Sequence, residues 1–224
     1  MNKIKLINKL KQKKYRDEFG LFIVEGDKLI SEIPKNLLEF VISVDEIGER
    51  EFNKLSELIT PQKFIAVCKK PNNPTFQISH SELTIVLDRI QDPNNVGAIL
   101  RSTAAAGLKN AILLEGTADP FNLKAVRASM GAIFYLNLIN MTEEELINSN
   151  LNLISAHMEG KSYRDFKMAD NSALILGNEG AGVSKSLLEV SEKITIPIQN
   201  IESLNVNAAA AILIFHFAGM HGYF

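Results

Sequence analysis

Residues 84–107 read TIVLDRIQDPNNVGAILRSTAAAG, and the order of residue types in this stretch decides the fold. Thr84–Asp88 is a short apolar run of the kind that forms a buried strand. Asp92-Pro93-Asn94-Asn95 follows as a turn. A small-residue helix is predicted near Val96–Ala106, with Asn95 as its N-cap, because an Asn oxygen can take an unpaired backbone N–H there. Strand followed by turn and helix recurs downstream. Strands are expected at Ala111–Leu114, Asn152–Ala156, Ala173–Gly177 and Ile194–Pro197, and helices near Asn122–Met130, Glu143–Asn148, Lys185–Val190 and Asn205–Gly219. Such alternation predicts an α/β fold with a parallel sheet covered on both faces. Ligands of such sheets bind beyond the carboxyl ends of the strands, so the loops after the strands carry the chemistry.

The first 80 residues differ. They read as a basic helix, a strand near Leu21–Glu25, a helix after Gly26, and short strands at Phe40–Ser43 and Phe64–Cys68. KKPNNP, Lys69–Pro74, is polar with two prolines and is the linker expected between domains 1–75 and 76–224. Residues 1–16 carry Lys3, Lys5, Lys9, Lys11, Lys13, Lys14 and Arg16 with no acidic residue, a segment suited to phosphate contacts. The same pattern also suits a solvated helix face.

Composition narrows the classes. Apolar residues make up 46% of the 224 and charged residues 22%, enough for a sizeable core. One cysteine, Cys68, excludes an internal disulfide and fits a reducing cytoplasm. The four histidines are scattered without zinc-ligand spacing, so no metal is expected. No secretory leader is visible, and the most apolar run, Ala208–Met220, is too short to span a bilayer.

Three post-strand segments stand out. In 84–107, Arg101 is the lone cation of a small-residue helix and is expected to face a cleft. In Ala173–Ser184, ALILGNEGAGVS, a buried strand enters a loop with three glycines and one carboxylate, Glu179, where the backbone can approach a ligand closely. Its spacing is not the dinucleotide fingerprint, and no phosphate-binding loop of the nucleotide-hydrolase type is present. In Ile194–Phe217 a loop containing Ser203 and Asn205 precedes a long apolar helix, which either residue could cap.

In this order, DPNNVGAILR, LGNEGAGVS and IPI…ESLNV resemble the SpoU (TrmH-type) branch of the SPOUT methyltransferases. KAVRASMGA at Lys124–Ala132 is similar to the family's intermediate segment. KYRDEFGLFIVEGDKLISE is similar to the small substrate-binding domain that precedes many members. The resemblance covers nearly the whole chain. It implies a SPOUT-type parallel sheet with a deep C-terminal trefoil knot, preceded by a small L30e-like α/β domain. It further implies a homodimer that methylates RNA at a ribose 2′-hydroxyl with S-adenosylmethionine, with ribosomal RNA of the large subunit as first choice.

Carried onto this sequence, the cofactor pocket would use Leu176, Gly177, Asn178 and Gly180, then Ile196, Pro197 and Ile198, then Ser203, Leu204, Asn205 and Val206. The catalytic group would be Arg101 with Asn95, Glu179, Ser203 and Asn205. Lys11, Lys13, Lys14, Arg16 and Arg127 would contact RNA. Two positions depart from the family: Asn200 where glycine is frequent, and Asn207 where serine is common. Competing readings are a base methyltransferase, a transfer-RNA ribose methyltransferase, and an RNA-binding or ribosome-assembly protein without activity. A nicotinamide-linked oxidoreductase is more distant, because its glycine fingerprint is absent.

Overall fold

Ile85 and Leu87 point to one side of their strand and Val86 to the other, and all three are fully buried. A strand inside a parallel sheet covered on both faces requires this. The computed structural model describes residues 2–58, 60–71, 83–220 and 222–223. The strand in question, β4 (Thr84–Asp88), lies in a six-stranded parallel sheet with β5 (Asn110–Leu114), β6 (Asn137–Met141), β7 (Asn152–Ser162), β8 (Ser172–Gly177) and β9 (Glu192–Thr195), in the order β6-β5-β4-β8-β7-β9.

On one face pack α6 (Pro93–Ala105), α7 (Leu123–Ser129) and α10 (Val206–Met220), and on the other α8 (Glu143–Ile147) and α9 (Lys185–Val190). A Cβ on Gly97 would overlap the carbonyl oxygen of Ala125, so the missing side chain is what lets α6 and α7 approach so closely. The chain winds outward from β4 through β5 and β6, then returns to the other side through β7 and β8. Order therefore reverses between β4 and β8, where a parallel sheet opens its ligand crevice.

The first unit holds α1 (Lys3–Leu10), α2 (Lys13–Phe19), β1 (Leu21–Glu25), α3 (Asp27–Ser31), β2 (Leu38–Ser43), α4 (Val44–Ile47), α5 (Glu49–Leu55) and β3 (Phe64–Lys69). Its antiparallel sheet has the order β1-β3-β2. One face packs on α1 and α5 through Ile7, Leu10, Phe52 and Leu55. The other joins the core of the large sheet, with the Phe22 ring 5.0 Å from Phe121 and 6.2 Å from Phe134. Cys68 is buried in β3, and burial pushes its thiol up to about 12. No helix among the described residues is long and apolar enough to cross a membrane.

The structure corrects several sequence-based expectations. α6 starts at Pro93, not near Val96, because Asp92 is the cap: its carboxylate accepts the Asn94 N–H at 2.9 Å, and proline is preorganised for the first helical position. Asn95 lies inside the helix. The last strand is Glu192–Thr195, not Ile194–Pro197, since Pro197 has no N–H to offer a ladder. β6, α4, α5 and the extension of β7 to Ser162 lay outside the predicted elements. The proposed boundary at residue 75, with Asn72–Pro74 of the linker, lies outside the described residues.

Arg16 is also reassigned. Its side chain is 4% exposed and bridges Asp119, 8% exposed, at 2.7 Å, while Nη1 donates to the carbonyls of Leu10 and Lys11. A guanidinium so enclosed joins the two units and has no surface to offer RNA. Arg127 is half-buried: it lies 3.9 Å from the buried Glu25, and its Nη1 is buried without a hydrogen-bond partner among the described residues. Burial lifts the Glu25 carboxyl above the usual range, against hydrogen bonds from the Glu57 N–H and Ser56 and the attraction of Arg127.

Candidate active site

The loops leaving β4 and β8 are tied together at the point where strand order reverses. Asp88, buried at the end of β4, holds Arg89 through two contacts, Nε to Oδ1 at 2.7 Å and Nη2 to Oδ2 at 2.9 Å. The Asp88 carboxylate also accepts the Ser184 N–H at 2.8 Å. Arg89, with φ of 56°, donates to the Gly182 carbonyl at 3.2 Å, and its own carbonyl accepts Asn178 Nδ2 at 2.9 Å. Asn178 Oδ1 in turn accepts the N–H groups of Gly180 and Ala181, both at 2.9 Å. The glycine loop is therefore a fixed turn, clasped from β4 by a buried carboxylate.

Gly177 is where the turn begins. A Cβ there would overlap the backbone of Gly182 and Val183, so the turn closes only over a residue without a side chain. Gly177→Ala is expected to cost about 1–3 kcal/mol of stability, as overpacking does, and to weaken binding of any ligand held by this loop. Denaturant midpoints and cofactor titration measure both; unchanged values for the two would show that the loop relaxes freely.

Above the clasp a hydrogen-bond chain joins the three motif segments. Asn95 Nδ2 donates to Glu179 Oε1 at 2.8 Å, and Asn207 Nδ2 donates to Asn95 Oδ1 at 3.0 Å. The N–H groups of Gln91 and Asp92 also reach the Glu179 carboxylate, at 3.3 and 3.4 Å. An ionised carboxylate only accepts, so it fixes which way the Asn95 amide turns, and Asn95 then fixes Asn207. Partial burial opposes the Glu179 charge. The hydrogen bonds from Asn95, from its own N–H and from Gln91 and Asp92 outweigh burial and hold the carboxyl below the ordinary glutamate range. The charged form is thus kept at neutral pH, and the stabilisation it gives fades only as pH falls through that lowered value.

The third loop ends at Asn205, which caps α10: its Oδ1 accepts the Asn207 N–H at 2.9 Å. Asn200 has φ of 66°, a left-handed conformation that Asn tolerates, so asparagine supplies the backbone shape for which glycine is the usual choice.

The structure thus brings Asn95, Glu179 and Asn205 into one place and adds Asn207, which the sequence reading had marked only as a departure from the family pattern. A polar Asn at the start of a largely apolar helix was the signal available. Ser203 is exposed without a side-chain hydrogen bond among the described residues. Arg101 is exposed too, about 120° around α6 and roughly 9 Å along it from Asn95. No hydrogen bond or ion pair joins it to the other motif residues. Leu176 has its side chain in the core and Pro197 is exposed, while Ile196, Ile198, Leu204 and Val206 are half-buried.

Lys13 and Lys14 are exposed, Lys13 paired with Asp17, and Lys11 donates to the Lys54 carbonyl. No group of three or more metal-ligating side chains converges among the described residues.

Known proteins are similar to this chain in sequence and fold. The sequence profile of the SpoU rRNA Methylase family matches residues 82–215, and that of the MRM3-like substrate binding domain matches residues 1–42. The 23S rRNA (guanosine(2553)-2′-O)-methyltransferase RlmP of Bacillus subtilis is 32% identical over 97% of this chain and 96% of its own. The rRNA methyltransferase of Sinorhizobium meliloti, solved with AdoMet bound, superposes with a TM-score of 0.86 at 28% identity, covering 98% of this chain and 94% of its own. A solved RNA 2′-O ribose methyltransferase gives 0.83 at 27% identity, over 97% and 95% of the two chains. With both units matched and all three motif loops meeting at one crevice, the chain belongs to the SpoU rRNA methylase family and is an RNA methyltransferase.

Proposed function

We propose that the protein transfers a methyl group from S-adenosylmethionine to a ribose 2′-hydroxyl of 23S ribosomal RNA. The observation that carries this reading is the Asn207–Asn95–Glu179 chain, which gathers the three motif loops around one polar centre. The target class follows the relative from Bacillus subtilis, whose name gives that reaction.

The residues of the crevice fit the cofactor. A Cβ on Gly182 would meet nothing within 4 Å, and one on Gly180 would touch only Asn178 Oδ1 at 3.7 Å, so the loop offers bare backbone. Ile196 and Val206 supply apolar wall. Leu176–Gly180, Ile196–Ile198 and Ser203–Val206 would hold it. When bound, S-adenosylmethionine supplies an electrophilic methyl group. What remains for the protein is to align the ribose oxygen with that carbon and to stabilise the charge that builds on the oxygen. Asn95, Ser203 and Asn205 position the ribose. Arg101 holds the neighbouring phosphate and stabilises the developing alkoxide through its guanidinium N–H groups.

Arg101 does this across a subunit boundary in a homodimer. α10 is apolar on every side, yet Ile212 and Phe215 stand exposed, and a helix of that composition belongs in an interior. Beside it, α6 shows a stripe of Asn94, Ala98, Arg101 and Ala105. A second copy laid on these two helices buries the apolar face and carries Arg101 to the other crevice. The chain closes its sheet with a trefoil knot, which the resemblance of its motifs to the family implies, and works in a reducing cytoplasm, to which a single buried cysteine is suited.

The test is transfer of label from S-adenosylmethionine to unmodified 23S rRNA, followed by digestion to nucleosides. Labelled 2′-O-methylnucleoside is the expected product. A labelled base would keep the fold and overturn the ribose mechanism.

A further inference from the structure

Past Arg101, α6 runs toward the 3-10 turn Ala132–Phe134. Between them lies an open groove of about 460 Å³, lined by Ala105 and the buried Leu108 together with Arg101, Lys109, Met130 and Tyr135. We infer that this groove holds a single-stranded segment of the RNA substrate, with Lys109 at a phosphate and Tyr135 against a base. The inference rests on the ribose-methylating function proposed above and names where its substrate lies.

Three observations support it. Arg101 and Lys109 have no ion-pair partner among the described residues, and no carboxylate is among the lining residues, so the groove is a cationic track. Tyr135 is 68% exposed, an aromatic face in the open of the kind on which unpaired bases stack whatever their sequence. The groove also lies beside the first unit: a Cβ on Gly131 would stand 2.7 Å from Glu32 Oε2 and 3.5 Å from Leu29 Cδ1. An RNA strand held by that unit has this groove beside it. Arg101 stands at the edge that this groove shares with the helix pair suited to a second copy, and Lys109, Met130 and Tyr135 lie beyond it.

Single-stranded RNA of this kind is recognised by stacking and backbone contacts rather than by groove reading. Both side chains are exposed, so their substitutions leave the fold intact.

The experiment measures binding and methylation of transcribed 23S rRNA over a range of KCl by Tyr135→Ala and Lys109→Ala, with S-adenosylmethionine affinity and sedimentation followed in parallel. Tyr135→Ala is expected to raise KM for RNA about tenfold, the effect of a lost base stack. Lys109→Ala is expected to reduce the slope of log K against log salt by about 1, the signature of one lost phosphate contact. Cofactor affinity stays the same in both. Unchanged KM and salt slope would overturn the inference. So would dissociation of the dimer, which would mean that a second copy covers the groove. If wild-type protein binds this RNA with the expected contributions of both residues but labels no ribose, the functional reading fails and the groove stands.

Discussion

Arg101→Ala is expected to lower kcat/KM for RNA methylation by about a hundredfold to a thousandfold, the usual cost of removing one donor aimed at developing negative charge. The fold should not notice. Arg101 is exposed, has no partner among the described residues, and alanine is the better helix former. The cofactor loops belong to β8 and to the segment before α10, and no hydrogen bond or ion pair among the described residues joins either to Arg101, so S-adenosylmethionine should bind the variant as it binds the wild type. Arg101→Lys keeps the charge but loses the planar fork that grips a phosphate through two hydrogen bonds, and should fall between the two. Initial rates with saturating cofactor decide the matter; activity of the alanine variant within about threefold of wild type would remove Arg101 from the chemistry.

Arg16→Ala is expected to cost about 3–5 kcal/mol of stability, because it strands the Asp119 carboxylate, 8% exposed, without its cation. It also leaves the carbonyls of Leu10 and Lys11 without the Nη1 donor, each held at 2.9 Å in the intact protein. The pair joins the first unit to the loop after β5, so the loss should appear as weaker coupling of the two units as well as a lower melting temperature. Replacing both charges, Arg16→Met with Asp119→Leu, should recover most of the loss, since an apolar pair of similar size avoids the desolvation of two ions. Denaturant melts of the single and double variants measure this. A single variant as stable as wild type would mean that the pair is as exposed as an ordinary surface bridge.

These two arginines show what the sequence makes legible and what it hides. Strands at 84–88 and 173–177 could be read because their apolar runs have strand length and end at turn residues. The helix at 185–190 could be read for its spacing. The loops of the crevice could be read because glycines, one carboxylate and capping asparagines occur there in a fixed order. Burial of a charge cannot be read locally. Arg16 sits in a run of lysines and looks like one of them; only Asp119, over a hundred residues on, removes it from the surface. The position of Asn95 was misjudged for a related reason. Both Asp92 and Asn95 are good caps, and what chooses between them is Pro93, whose fixed φ starts the helix at once. β6 was missed because Asn137-Leu138-Ile139-Asn140-Met141 is short and half polar, as suits a strand at the edge of the sheet. Asn207 looked like a mild departure until its amide met Asn95 from across the fold.

The most direct measurement compares 2′-O-methylnucleosides in 23S rRNA from cells with and without this protein, by mass spectrometry of digested RNA. One 2′-O-methylnucleoside should disappear in its absence, return with the wild-type chain, and stay missing with Arg101→Ala. Loss of a base-methylated nucleoside instead, or an unchanged set of 2′-O-methyl marks, would contradict ribose methylation of large-subunit RNA as the work of this crevice.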